Sequence, residues 1–180
     1  MSRRQTDNSH LAEKIVLREI NLPGIDPIRV LDCYAGKGVI WSRIAHRNPA
    51  LNIRRLGIDV KGEDPGLLHG KAEKFLPSLN LDDFDVIDLD AYGVPYLALK
   101  EILPRSRGKI IFITFIQTVF GCLNKSFLCD LGYTPSMIKK CRSLFNSHGF
   151  VKLKSWLAGR GITEISYYEI GRKVYLCLKP

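Results

Sequence analysis

The chain has 180 residues, 46% hydrophobic and 25% charged, which is enough to bury one substantial core and too apolar for a disordered segment. Its most apolar run, residues 110–116, is of strand length and far short of the ~20 residues of a membrane span, and residues 1–8 lack the hydrophobic region of a secretion signal, so a cytoplasmic protein without a membrane anchor is expected. The 27 Lys and Arg against 18 Asp and Glu leave a net charge of +9, which suits a polyanionic partner such as nucleic acid.

In chain order, the pattern predicts a helix over residues 10–20, capped by Asn8 or Ser9 and carrying an apolar stripe of Leu11, Ile15 and Val16 with Glu19. Strands are expected at 28–32, 53–59, 67–69, 85–88 and 109–115, with helices at 39–46, after Asp64-Pro65, at 71–79 and at 95–103, the last opened by Pro95. Residues 117–134 read as a loop or short helix beside a substrate pocket, 135–146 as a helix, and 151–158 as a helix or a strand. Two strands, 162–170 and 173–178, joined at Gly171-Arg172, complete a hairpin. Alternation of strands and helices makes a doubly wound, largely parallel sheet the expected α/β architecture. A single domain over 1–180 is expected, with residues 1–22 as a helical segment packed on the core, and there is too little chain for a large recognition domain besides.

Chemistry enters at the first strand. Asp32-Cys33-Tyr34-Ala35-Gly36-Lys37-Gly38 joins a buried strand to a helix through a turn whose glycines permit close approach of a ligand to the backbone. It has no Gly-Lys-Ser/Thr, against an NTPase phosphate loop, and Trp41 stands where a dinucleotide fingerprint needs a small residue. An acid ahead of the glycines suits a ligand with a positively charged group. About 20 residues beyond the turn, the second strand ends in Gly57-Ile58-Asp59, placing a carboxylate where a β-α-β unit meets ribose hydroxyls. A third signal is the strand ending Asp88-Leu89-Asp90-Ala91-Tyr92-Gly93-Val94-Pro95. An acceptor and an aromatic face at one strand end suit a nucleobase amine, whose nitrogen must be held in line with an incoming methyl group.

The glycine turn resembles motif I of class I S-adenosylmethionine-dependent methyltransferases. The Asp90 loop resembles the Asp/Asn-Pro-Pro-Tyr/Phe motif of amino-methyltransferases, and more closely the Asp-Leu-Asp-Pro-Tyr-Gly-x-Pro form of tRNA (guanine-N2)-dimethyltransferases, with Ala91 in place of the first proline. With the C-terminal hairpin, the resemblance covers nearly the whole chain. It implies a Rossmann-like class I methyltransferase sheet, mostly parallel with a C-terminal antiparallel hairpin and helices on both faces. It also implies S-adenosylmethionine as cofactor, no metal, and a cofactor-binding set of Asp32, Tyr34, Ala35, Gly36, Gly38, Asp59, Val60, Lys71, Ala72, Glu73 and Asp88. Lys71 stands where many of these enzymes carry the acid that bonds adenine, so the backbone of Lys71 and Ala72, or the Glu73 side chain, takes that role. Asp90 and Tyr92 are the expected catalytic pair.

Pro95, Lys125, Arg172 and Lys173 are the expected substrate or nucleic-acid contacts, with Lys37, Lys61 and Lys71 completing a basic rim, whereas Arg105, Arg107 and Lys109 fall at the far edge of the sheet. The five cysteines, Cys33, Cys122, Cys129, Cys141 and Cys177, form no Cys-x-x-Cys pair and read as reduced thiols, Cys33 as a packing residue. Tyr167, Tyr168 and Tyr175 read as packing residues of the hairpin. The expected reaction is methylation of an exocyclic nucleobase amine, guanine N2 in tRNA or another RNA first, with a partner subunit or homodimer as a further source of substrate recognition. The alternatives are DNA adenine or small-molecule amine methylation, or a catalytically silent fold that binds RNA or a partner. A ribose 2′-O-methyltransferase requires a Lys-Asp-Lys-Glu tetrad, which the sequence alone does not place.

Overall fold

The computed structural model describes residues 9–61, 66–117, 123–140 and 144–180. The strands β1 (Ile28–Asp32), β2 (Ile53–Asp59), β3 (Leu67–His69), β4 (Val86–Leu89), β5 (Ile110–Ile116), β6 (Ile165–Ile170) and β7 (Lys173–Leu178) make one sheet in the order β3-β2-β1-β4-β5-β7-β6. The first five are parallel, and β7 runs antiparallel to both β5 and β6. The expected mostly parallel sheet with a closing hairpin is therefore present, and Ile170 pairs with Lys173 across the two-residue turn.

Period-2 alternation divides the core. Leu31, Ile58, Ile87, Ile111, Ile113, Val174 and Leu176 point to one face, where α3 (Ala72–Phe75), α4 (Tyr96–Ile102), α5 (Lys125–Asp130) and α7 (Leu144–Ala158) cover them, with α6 (Pro135–Lys140) at the margin. Ile28, Val30, Val86, Phe112, Tyr175 and Cys177 point to the other, under α1 (Leu11–Glu19) and α2 (Val39–Arg47). By the same alternation Asp32, Asp88 and Thr114 belong to the α1/α2 face, just beyond its apolar layer. Two carboxylates thus lie side by side, since Asp32 is the register partner of Asp88.

Several elements differ from expectation. Ser9 does not cap α1, because His10 occupies the cap position at φ 57° with no side-chain hydrogen bond; Asn8 lies outside the described residues. The buried side of α1 is Lys14, Ile15, Leu17 and Arg18, while Glu19 turns away to bond Asn48 and Arg47 of the α2 end. Pro77 tightens residues 76–78 into a 3-10 turn and limits α3 to four residues. In the segment expected as a loop or short helix, Asn124, accepting from the Ser126 amide at 2.8 Å, starts a short helix. Residues 151–158 are helical, as part of α7, and 162–164 precede β6 rather than join it. The helix expected after Asp64-Pro65 and the residues Cys122 and Cys141 fall outside the described residues.

Cys33 and Cys177 are buried thiols, and burial pushes both up, Cys177 to about 12. That suits the packing role expected of Cys33. Tyr175 is buried beneath α1, and Tyr167, though 43% exposed, sets its ring 4.9 Å from that of Phe150. Among the described residues no helix is long and apolar enough to cross a membrane.

Candidate active site

A cleft of about 1570 Å³ opens at the carboxyl ends of β1, β2 and β4, where the strand order reverses. The glycine turn forms one wall. Gly36 and Gly38 have φ of 53° and 65°, a region that disfavours any residue with a side chain, and a Cβ on Gly38 would lie 2.5 Å from the Arg55 guanidinium. Asp59, at the end of β2, accepts from the Gly36 amide at 2.9 Å and from the Lys61 amide at 2.7 Å. One carboxylate therefore orders the turn while keeping acceptor capacity on both oxygens.

The floor is a buried ionic layer supplied by the alternation described above. Arg18 of α1 donates to both oxygens of Asp88, at 2.7 Å each, and the Trp41 indole donates to the same carboxylate at 2.8 Å. Burial works against the Arg18 charge, but Asp88 more than offsets it, so the guanidinium is held firmly protonated. Asp32 pairs with Arg55 at 3.2 Å. Its own burial and the adjacent Asp88 raise the Asp32 carboxyl to about 7, against the pull of Arg55 and Arg18.

At the other end, Asp90 accepts from Lys14 Nζ at 2.8 Å and from the Thr114 hydroxyl, and Lys14 also lies over the Tyr175 ring, 5.3 Å from its centroid. Ser9 accepts from Lys173 Nζ, which closes this end with the first residues of the α1 segment. Tyr92 is 79% exposed on the rim. Behind it lies a second hollow of about 320 Å³, lined by Tyr34, Glu73, Ala91, Tyr92, Val94, Pro95, Tyr96, Leu97 and Asn124. Tyr34, Glu73, Ala91, Tyr92 and Leu97 line both chambers. Tyr96 anchors the loop from below through its hydroxyl, which meets Asp130 at 2.5 Å and Ser126 at 3.3 Å.

Every residue expected to hold the cofactor lines the cleft: Asp32, Tyr34, Ala35, Gly36, Gly38, Asp59, Val60, Lys71, Ala72, Glu73 and Asp88. Asp88 and Asp32 also build the floor of the cleft, Asp88 accepting from Arg18 and Trp41 and Asp32 from Arg55. Asp90 and Tyr92 meet at the cleft, Pro95 lines only the hollow, and Lys37, Lys61, Lys71 and Lys173 line the cleft. Lys125 and Arg172 do not: Lys125 opens α5 beside the hollow, and Arg172 is exposed at the hairpin turn. Lys14, Arg18, Arg55 and Thr114 escaped the sequence reading. The signal for two of them was present, since Leu11, Lys14, Ile15 and Arg18 follow the i, i+3, i+4, i+7 spacing of one helix face.

No protein-family model and no curated protein matches the chain. Solved structures do. A small RNA methyltransferase superposes with a TM-score of 0.58 at 12% identity, over 99% of this chain and 27% of that one. The carbon methyltransferase CurJ gives 0.54 at 17%, over 94% of this chain, which spans 55% of that one. A Plasmodium falciparum protein assigned as a ribosomal RNA methyltransferase gives 0.54 at 16%, over 97% of this chain and 96% of that one. The fold is the Rossmann-like methyltransferase fold. In that fold the glycine turn, Asp59 and the Asp90 loop occupy the carboxyl ends of β1, β2 and β4, the edge of the sheet at which such folds take their ligands.

Proposed function

We propose that the chain is an S-adenosylmethionine-dependent methyltransferase acting on an exocyclic amine of a nucleobase in RNA, guanine N2 in tRNA first. The observation that carries this reading is the pair of adjoining chambers, with the Asp90-Ala91-Tyr92 loop standing between them. The larger chamber fits the cofactor. Asp59 has acceptor capacity for ribose hydroxyls, and the bare glycine backbone admits close approach. The smaller chamber, with rings of Tyr34, Tyr92 and Tyr96 and an open mouth, suits a base taken out of its stack.

S-adenosylmethionine supplies an electrophilic sulfonium methyl when bound. The protein's part is to present a nucleophile to it. Asp90, fixed by Lys14 and Thr114, offers its carboxylate to an amine N–H, and Tyr92 offers an exposed ring against the base. With the cofactor bound, the Asp90 carboxylate would hold an N–H of the amine and, with solvent, would accept the proton that the nitrogen loses on methylation. The basic rim of Lys37, Lys61 and Lys71 gives phosphates a place to bind, and a partner subunit or second copy is a further source of recognition.

A second reading has one observation in its favour. Lys14, Asp90 and Lys173 share the cleft, three members of the Lys-Asp-Lys-Glu set that ribose 2′-O-methylation requires. Among the described residues that line the cleft the glutamate is Glu73, which accepts from Tyr34. The test is transfer of radiolabelled methyl from S-adenosylmethionine to unmodified tRNA, followed by nucleoside analysis. Label on guanine N2 supports the leading reading, label on ribose the second, and no transfer to any RNA rejects both.

A further inference from the structure

Glu73 stands at the junction of the two chambers, on the first turn of α3, and its Oε1 accepts from the Tyr34 hydroxyl at 3.1 Å. Among the described residues Tyr34 is the hydrogen-bond partner of this carboxylate, which lines both chambers. Burial and Glu73 together push the Tyr34 phenol up, which keeps its proton in place as a donor to one oxygen of the carboxylate. The rest of the wall is rings and apolar groups, Tyr92, Ala91 and Pro95, with the Asn124 amide opposite in kind. A planar heterocycle entering here meets one strong reader.

We propose that Glu73, oriented by Tyr34, selects guanine in the hollow by accepting from both donors of its Watson–Crick edge. This deepens the reading of the site given above and rests on it. An ionised carboxylate only accepts, in bidentate fashion when two N–H groups lie side by side. Of the four bases, guanine alone presents two adjacent donors, N1–H and the N2 amine. Adenine and cytosine set a ring acceptor beside the amine, so a carboxylate meets one donor and one lone pair, and uracil has a single N–H between two carbonyls. Because Glu73 also faces the cleft, an N2 amine held by it lies at the opening toward Asp90. The sequence reading offered the Glu73 side chain, as the alternative to the backbone of Lys71 and Ala72, to the adenine of the cofactor, and the two assignments separate cleanly by experiment.

Glu73→Gln replaces two acceptors by one acceptor and one donor group, the complement of an adenine edge. In the intact protein, with S-adenosylhomocysteine present, binding of guanosine 5′-monophosphate and adenosine 5′-monophosphate is measured by NMR titration, alongside kcat/KM for RNA and calorimetric affinity for S-adenosylmethionine. The parent is expected to prefer the guanine nucleotide, and the variant to lose roughly tenfold to a hundredfold of that preference, with the same loss in kcat/KM on guanine and cofactor affinity within about threefold. Tyr34→Phe loses less, in the same direction. The inference is overturned if the parent binds the two nucleotides equally or binds neither, if Glu73→Gln keeps the preference, or if cofactor affinity falls as far as transfer does, which returns Glu73 to the cofactor. Absence of methyl transfer by the parent instead rejects the reading of the function, while the nucleotide titration still decides the role of Glu73.

Discussion

Lys14 Nζ stands 2.8 Å from Asp90 Oδ2, joining residues 76 positions apart, with both side chains largely buried. The helix that bears Lys14 is thus a wall of the cleft, and four residues on, Arg18 repeats the arrangement on Asp88. One helix holds both the floor of the cleft and the Asp90 loop.

Arg18 is expected to be indispensable for stability. Removing one partner of a buried ion pair leaves an uncompensated charge and costs about 3–5 kcal/mol, whereas replacing both partners by neutral groups costs much less. Arg18→Met should lower the melting temperature by roughly 6–20 °C, and Arg18→Met with Asp88→Asn should recover most of it. Chemical denaturation measures both, and a loss below about 1 kcal/mol in the single variant contradicts a buried pair.

A pH signature follows from Asp32. Its carboxyl, raised from 3.8 to about 7 by burial and by Asp88, holds a proton in the folded protein that the unfolded chain has already released across that window. Its contribution to stability is therefore present at the acid end and falls as pH rises toward 7, by at most about 1.4 kcal/mol per unit, and is flat above. Asp85 and Asp130, held below the usual range chiefly by bonds from Arg29 and Tyr96, act in the opposite direction at lower pH. Asp32→Asn should flatten the dependence of stability on pH between 4 and 7; an unchanged slope in urea titrations places the effect elsewhere.

Asp59 should carry much of the cofactor affinity. Hydrogen bonds to a charged group are worth about 1.5–3 kcal/mol, and Asp59 also orders the turn through Gly36 and Lys61. Asp59→Ala is expected to weaken S-adenosylmethionine binding at least tenfold by calorimetry, and an unchanged dissociation constant means that the ribose lies elsewhere.

Contacts to RNA phosphates should appear in the salt dependence. Each contributes about −0.7 to −0.9 to the slope of log K against log salt. Arg172 and Lys125 lie outside the cleft, so replacing either by Ala should reduce the slope by about one such contact, with cofactor affinity unmoved. A slope near zero in the parent points to an uncharged or protein substrate.

Most of the fold was legible because it is carried by local patterns. Runs such as 28–31 and 110–116 read as strands buried on both faces, Gly36 and Gly38 mark the turn, and Gly171-Arg172 marks the hairpin. The Asp90 loop was legible for the same reason, being one contiguous segment. Lys14, Arg18 and Arg55 were not, because their partners lie far away in sequence and a charge on an amphipathic helix ordinarily faces water. The partners of Asp32 and Asp88 were hidden on the same account. Nothing in β1 or β4 alone shows that period-2 alternation sets the two carboxylates side by side beneath a helix that brings the cation. The extent of α3 turned on a single residue, Pro77, whose local effect outweighed the surrounding pattern, and Asn124 decided for the short helix at α5 between the two readings the sequence left open.

The measurement that bears most directly on the central claim is methyl transfer by Asp90→Ala and Asp90→Asn, read together with their affinity for S-adenosylmethionine and their melting temperatures. Asp90 lines the cleft and is held by Lys14 and Thr114 rather than by the glycine turn or Asp59, and a reacting geometry misplaced by about 1 Å costs on the order of a hundredfold in rate. Transfer to RNA is expected to fall at least a hundredfold in both variants, with cofactor affinity within a fewfold of the parent and a lowered melting temperature in the still folded protein, since Lys14 loses its buried partner. Transfer retained at the parent rate in folded Asp90→Ala contradicts the assignment of this loop as the place where the acceptor amine is held.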